Sequence, residues 1–209
     1  MEKIVIIGGG GHAKVIASIL KRLGIFKILG YTDNENRGVL LGSPYLGTDG
    51  VLSKLKIQYK NCAAVLGVGY LGKGDLRERL IPRLVALRFT MPAIISPNAV
   101  VNEDVEIGEG SVVMGGVIMN SGTRIGRYAI INTHASIDHD CAVGDFVHIA
   151  PGVTLSGGVK VGARSLVGVG ATVVQYKTIG ERCIIGAGAV VTKDCFESGT
   201  YLGMPAKMI

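Results

Sequence analysis

The stretch Ile125-Gly126-Arg127-Tyr128-Ala129-Ile130-Ile131-Asn132-Thr133-His134-Ala135-Ser136-Ile137-Asp138-His139-Asp140-Cys141-Ala142-Val143-Gly144 repeats its pattern every six residues. An aliphatic side chain stands at 125, 131, 137 and 143, and a small one follows four residues later at Ala129, Ala135 and Cys141. Carried upstream, the same step meets Met119, Val113, Ile107, Val101 and Ile95; downstream it meets Ile149, Leu155, Val161, Val167, Val173, Ile179, Ile185 and Val191. Such an unbroken series in a chain that is 48% hydrophobic is a repeat and not an accident of composition. At the small position only Lys177 departs from the pattern. The residue after the aliphatic is repeatedly glycine (Gly108, Gly126, Gly144, Gly162, Gly168, Gly180, Gly186), which reads as a corner with turn dihedrals closed to other residues.

Each hexad is thus a short strand plus a corner. Three hexads make a triangular coil of about 18 residues, stacked on the next at about 4.8 Å with the aliphatic side chains inside. Residues 18 apart then lie one above another. Cys141, Cys183 and Cys195 fall on the small inward position and read as core packing. With Cys62 they make four cysteines at irregular spacing, reduced thiols and not a disulfide framework. The uninterrupted hexads resemble the left-handed parallel β-helix of the hexapeptide-repeat acyltransferases, and the left hand is implied by that resemblance alone.

Residues 1–92 follow another rhythm. Ile4–Ile7, Phe26–Tyr31 and Asn61–Val68 read as strands, whereas Ala13–Leu23 has apolar residues at helical spacing, Val15 among them, and stops at Gly24. A second helix over Leu76–Leu87 should kink or break at Pro82. Strands alternating with helices imply a parallel sheet, an α/β Rossmann-like βαβ domain. Its glycine-rich loop, Gly8, Gly9, Gly10 and Gly11, follows the first strand and opens the first helix, a geometry that cradles phosphate. His12 and Lys14 lie at the helix start, Asp33 and Asn34 after the second strand, and Gly67-Val68-Gly69 after the third. The expected organisation is a nucleotide-binding domain over 1–92, the β-helix over 93–196, and a capping tail over 197–209.

Composition narrows the partners. The 209 residues include 32 glycines and no tryptophan, and the net charge is +6. No basic run exceeds two residues, so nucleic acid is not an expected partner, whereas a phosphate-rich small molecule is. No window has the length of a membrane span and no signal peptide precedes Ile4, so a soluble cytoplasmic protein is expected.

His139 is not at an inward position, so its ring should project from the coil between Asp138 and Asp140, either of which can hold the imidazole in one tautomer. One coil later, at 139 + 18, stands Gly157, whose amide is unshielded by a side chain. A base beside an exposed N–H is what acetyl transfer from a thioester needs. His134 and His139 are five apart, as in zinc sites built on this kind of solenoid. The third histidine would fall at 98, which is Asn98, and no metal is expected.

The run from Asn132-Thr133 through His139-Asp140-Cys141 to Val147-His148-Ile149-Ala150-Pro151-Gly152 resembles the sugar acetyltransferases of the bacillosamine and perosamine pathways and the sialic-acid O-acetyltransferases. Ile7-Gly8-Gly9-Gly10-Gly11-His12-Ala13-Lys14 and Gly203-Met204-Pro205-Ala206-Lys207 fit the same family. The resemblance implies His139 as base, Asp140 or Asp138 as its orienter, and Gly157 facing the thioester. It implies that His148, Val169, Ala187, Pro205, Ala206 and Lys207 border acetyl-CoA. Gly8, Gly10, Gly11, His12, Lys14, Asp33, Asn34, Gly67 and Asn132 would serve the sugar nucleotide. It also implies a homotrimer with acetyl-CoA between neighbouring solenoids. The leading expectation is N-acetylation of a nucleotide-activated amino sugar, UDP-4-amino-sugar in type, for bacterial surface glycans. The alternatives are O-acetylation, of sialic acid or another sugar, and a sugar-nucleotide-binding solenoid without turnover. Two places depart from the family pattern: Asp33-Asn34 replaces an acidic pair, and Ser96-Pro97 replaces a His-Pro.

Overall fold

The first apolar run forms β1 (Glu2–Ile7), whose Ile4, Val5 and Ile6 are completely enclosed because both faces of the strand are covered. It is followed by α1 (Gly11–Leu23), β2 (Phe26–Thr32), β3 (Tyr45–Gly47), α2 (Leu52–Gln58), β4 (Cys62–Leu66) and α3 (Leu76–Ala86). The computed structural model describes residues 1–209, in two compact units: 1–70 with 74–97, and 71–73 with 98–209. The first unit is a four-stranded parallel sheet in the order β3-β2-β1-β4. Chain order reverses direction at β1, so the connections that leave β1 and β4 diverge and a crevice forms at the carboxyl ends of these paired strands.

Helix α1 buries Ala13, Ile16, Ala17, Ile19 and Leu20 and ends at Gly24, which takes the left-handed conformation that closes a helix. Val15, read from its spacing as part of the apolar stripe, lies on the outer side and is exposed. The break expected at Pro82 does not occur, and α3 runs through it. Pro82 itself is exposed. The short β3 and the helix α2 carry no strong periodicity in sequence, and packing defines them.

In the second unit every hexad contributes a two-residue strand, and partners pair in parallel 18 residues apart, as Arg124 with Ala142 and Ile125 with Val143. The strands line up as three faces. The first holds Glu106–Ile107, Arg124–Ile125, Ala142–Val143, Lys160–Val161 and Thr178–Ile179; the second runs from Val112–Val113 through Ile130–Ile131, His148–Ile149 and Leu166–Val167 to Ile184–Ile185; the third runs from Val100–Val101 to Val190–Val191. All the aliphatic hexad positions from Val113 to Val191 are buried, whereas Val101 and Ile107 in the first coil are half-exposed. An end coil has a stacked neighbour on one side only.

The corners correct one reading of the sequence. The glycines that follow the aliphatic residue are not the ones with positive φ; the left-handed positions come two residues later, in columns such as Asp104, Gly122, Asp140, Gly158, Tyr176 and Gly116, His134, Gly152, Gly170, Gly188. Gly108 is glycine for a different reason: a Cβ there would lie 2.6 Å from the backbone of Gly126 and Arg127 in the next coil. Close stacking of coils, not turn dihedrals, excludes side chains there.

The tail is woven into this unit. Thr200–Leu202 adds a parallel strand beside Ile184–Ile185, and Lys207–Met208 folds back antiparallel on it. The second unit therefore continues to Ile209, and the boundary between units lies at Pro97/Asn98.

Candidate active site

His139 sits where the third face turns into the first, with its side chain 51% exposed. The two flanking aspartates do different work. Asp140 adopts φ +57°, which aspartate tolerates better than most residues, and its Oδ2 lies 2.9 Å from His139 Nδ1. A carboxylate only accepts, so the proton of the neutral ring is on Nδ1 and Nε2 is left with its lone pair free. Asp138 does not touch the ring; its Oδ1 accepts the main-chain N–H of His139 at 2.8 Å and the side-chain amide of Asn120 at 2.8 Å. The bond from Asp140 pushes the imidazole pKa above its ordinary 6.5, and the charges of Asp138 and Asp140 add to that. Asp138 is held below the usual carboxylate range, chiefly by Asn120 and then by the His139 N–H.

Gly157 lies on the next coil against the ring. A Cβ there would stand 2.5 Å from His139 Nε2, so only glycine lets the backbone approach the base this closely. The coils are tied at this point by Gly158 N–H donating to His139 O at 2.9 Å. Tyr176, an exposed aromatic, packs its ring where a Cβ of Gly158 would be. A groove of about 650 Å³ runs along the first face, lined by Arg124, Ala142, Gly144, Lys160 and Gly162, and no residue of the His139 corner lines it.

The other residues expected near acetyl-CoA, and Asn132 of the sugar-nucleotide set, lie elsewhere. Asn132 Nδ2 and His148 Nε2 are 3.1 Å apart; the amide nitrogen donates, so neutral His148 carries its proton on Nδ1. His148 is only 8% exposed, on the second face beside Ile130 and Leu166. Exposed Val169 and Ala187 stand 18 apart on the corner between the second and third faces. Pro205, Ala206 and Lys207 form the turn back into the last strand, with Ala206 N–H on Val190 O at 2.8 Å. Within one chain, then, His139, Asp138, Asp140 and Gly157 occupy the trailing edge of the third face, and Asn132, Val169 and Ala187 its leading edge.

In the first unit, Ile7, Gly8, Thr32, Asp33, Asn34 and Val68 line a crevice of about 100 Å³ at the carboxyl ends of the strands. Asp33 Oδ2 accepts Gly9 N–H at 2.7 Å and Arg37 Nε at 3.3 Å, and Oδ1 accepts Glu35 N–H at 3.1 Å. Burial pushes this carboxyl up, but those donors outweigh it and hold it low. Gly10 and Gly11 have open space where a side chain would be, next to His12 and Lys14 on the first turn of α1. Gly67 is a packing glycine, since a Cβ would strike Ile6 and Ala13 at 2.7 and 2.8 Å.

Solved structures share this fold along the whole chain. A point mutant of perosamine N-acetyltransferase from Caulobacter crescentus, in complex with CoA and GDP-perosamine, is 39% identical, with all of this chain and 97% of that one matched at a TM-score of 0.93. The chain belongs to the hexapeptide-repeat sugar acetyltransferase family. The acetyltransferase domain of PglB from Neisseria gonorrhoeae FA1090, in complex with acetyl coenzyme A, matches over 100% of this chain and 99% of its own, at 36% identity and a TM-score of 0.92. Residues 3–84 match the PglD N-terminal domain family. A curated relative, UDP-N-acetylbacillosamine N-acetyltransferase of Bacillus subtilis (strain 168), is 33% identical over 115 residues, 54% of this chain and 52% of its own length. The match thus spans about half of that relative. The solenoid of this acetyltransferase is the family's left-handed β-helix.

Two residues of this sugar acetyltransferase near the sites escaped the sequence reading. Asn120 lies 18 residues before Asp138, and applying the coil register to polar residues would have found it. Asp49, whose Oδ1 accepts Thr32 Oγ1 at 2.6 Å on the wall of the crevice, opens a short 3-10 turn just after β3 and has no signal in sequence.

Proposed function

We propose that the protein transfers the acetyl group of acetyl-CoA to the amino group of a nucleotide-activated amino sugar. The observation that carries this reading is the exposed His139 Nε2, free of its proton and set against Gly157. Acetyl-CoA supplies the acyl thioester when bound, and it would meet the imidazole on its solvent-open side, since the ring itself fills the place of a Gly157 Cβ. His139 Nε2 takes the proton of the attacking amine as the N–C bond forms, and gives it to the departing thiolate as the C–S bond breaks. Asp140 stabilises the imidazolium formed in between, and the Gly157 amide faces the thioester oxygen.

The first unit is read as a Rossmann-like domain for the sugar nucleotide, its pyrophosphate at Gly8, Gly10 and Gly11 with His12 and Lys14 nearby. Asn34 and Gly67 border the nucleoside, and Asp33 shapes that site by tying the glycine loop to residues 35–37. The perosamine and bacillosamine N-acetyltransferases among its relatives support an amino sugar over a hydroxyl acceptor.

The assembly is a homotrimer. The outward side chains of the third face, Val100, Ile118, Ser136, Thr154, Thr172 and Val190, are all uncharged, and Val100 and Ile118 are exposed. Three copies with this face toward a common axis bring the trailing edge of one, with His139, to the leading edge of the next, with Asn132, Val169 and Ala187. His148 and Pro205-Ala206-Lys207 then border acetyl-CoA from the neighbouring copy. No helix is long and apolar enough to cross a membrane, and the enzyme works in the cytoplasm, where acetyl-CoA is available, in the synthesis of bacterial surface glycans.

Thiol release from acetyl-CoA across UDP-, GDP- and TDP-linked 4-amino sugars, with hydroxy analogues alongside, tests activity and acceptor together. Turnover with an amino sugar nucleotide is expected. Turnover with hydroxy sugars alone would overturn the reading.

A further inference from the structure

The side chains beneath the base form a continuous ladder. Asn102 Nδ2 donates to Asn120 Oδ1 at 2.8 Å, and Asn120 Nδ2 donates to Asp138 Oδ1 at 2.8 Å. That same carboxylate oxygen accepts the main-chain N–H of His139 at 2.8 Å. Asn102, Asn120 and Asp138 are 18 residues apart, so they occupy one position on successive coils, on the edge from which the imidazole projects. We propose that Asn120 is a positioning residue of the acetyl transfer: it fixes Asp138, and through Asp138 the backbone at His139. The inference rests on the reading of His139 as the base.

The physical case is about geometry. An exposed histidine held only through its ring still swings with its own backbone, and here Asp140 holds the ring alone. The turn is pinned separately, by Asp138. An aspartate half-open to water has several rotamers, and the one that reaches the His139 N–H is favoured because Asn120 donates to the same oxygen. Asn120 is in turn oriented by Asn102, whose amide nitrogen occupies Asn120 Oδ1 and so leaves Nδ2 to point up the column. The same donor keeps Asp138 charged, which adds to the proton affinity of His139. Other groups facing this corner are Asp140 beside the ring, Gly157 and Gly158 on the next coil, and Tyr176 beyond them. None of these can replace a donor to Asp138 from the coil beneath. Catalytic groups that work within tenths of an ångström depend on such outer support.

The test uses Asn120→Asp in the full chain, assayed with acetyl-CoA and whichever of GDP-perosamine or a UDP-linked 4-amino sugar turns over. The substitution keeps size and the acceptor for Asn102, but replaces the donor to Asp138 by a repelling carboxylate. A displacement of the base by up to an ångström lowers kcat about 10- to 100-fold, with KM for acetyl-CoA and the melting temperature little changed. Asn120→Ala gives a second view in which no new charge is present, and the same loss is expected. Because the effect passes through Asp138, Asn120→Ala made in an Asp138→Ala background should add almost nothing. Wild-type kcat in both Asn120 variants, or a full additional loss in the double variant, overturns the proposal. His139→Ala is run beside them: if it alone turns over normally, the reading of the base has failed; if it is inactive and the Asn120 variants are not, only the ladder has.

Discussion

Asp140 stands at a left-handed corner position that its column otherwise fills with Gly122, Gly158, Asp104 and Tyr176. The conformation turns its carboxylate back onto the preceding residue's ring, so one backbone choice makes the Nδ1 contact and exposes Nε2. That contact is the main reason the imidazole pKa lies above 6.5. A base works only when unprotonated, so kcat should rise with pH through an apparent pKa above 6.5. Replacing Asp140 by Asn removes the charge, and the acid limb of the profile should move to lower pH while the plateau falls. A pH–rate profile of both proteins checks this, and an unmoved limb would mean that Asp140 does not set the proton affinity. His139 and Gly157 were legible in sequence because coil arithmetic puts 157 above 139. The division of labour between the aspartates was not, since the pattern leaves the two side chains equivalent and only the dihedrals at Asp140 separate them.

At the scale of the element, a coil must satisfy every polar atom that it turns inward. Ser111 and Ser165 occupy the small inward position and are fully buried; Ser165 Oγ donates to Gly180 O at 2.7 Å and accepts Cys183 N–H at 3.0 Å. Ser111 does the same for Gly126 O and Ala129 N–H. Ser165→Ala leaves a buried donor and acceptor without their partner and should cost about 1–3 kcal/mol in denaturant unfolding. Stability equal to wild type would show that the corner satisfies itself otherwise. The strands themselves were readable to the residue, because inward aliphatics recur with fixed period. In the first unit, β3 and α2 were not, for three and seven residues with little amphipathic pattern are set by what they pack against. Pro82 shows a related limit: the sequence does not say whether a helix stops at a proline or continues through it, as α3 does.

Across the whole molecule the three faces differ in character. The first carries charges of both signs, with Arg124 paired to Glu106 and with Lys160 on the same face. The second buries Val112 and Ile130, and Gly72 packs against Leu166 and Ile184. The third is uncharged and open, which fits burial between copies. Ile118→Glu places a charge on this face, one coil from its end, without touching the inward core, since Ile118 points outward. The variant should fold, lose the species of three times 21.8 kDa in light scattering, and lose acetyl transfer with it. A trimeric, active Ile118→Glu protein would exclude this face as the interface. The inward periodicity gave no hint of which face would be covered in a trimer, because all three faces share the inward aliphatic pattern and differ in their outward residues.

The most direct test of the account is His139→Ala, with acetyl-CoA binding followed by calorimetry and acetyl transfer by single-turnover thiol release. The expected result is unchanged affinity for acetyl-CoA and a rate lower by about 10²-fold or more. Transfer at the wild-type rate would contradict the assignment of the base, and with it the chemistry built on this corner of the β-helix.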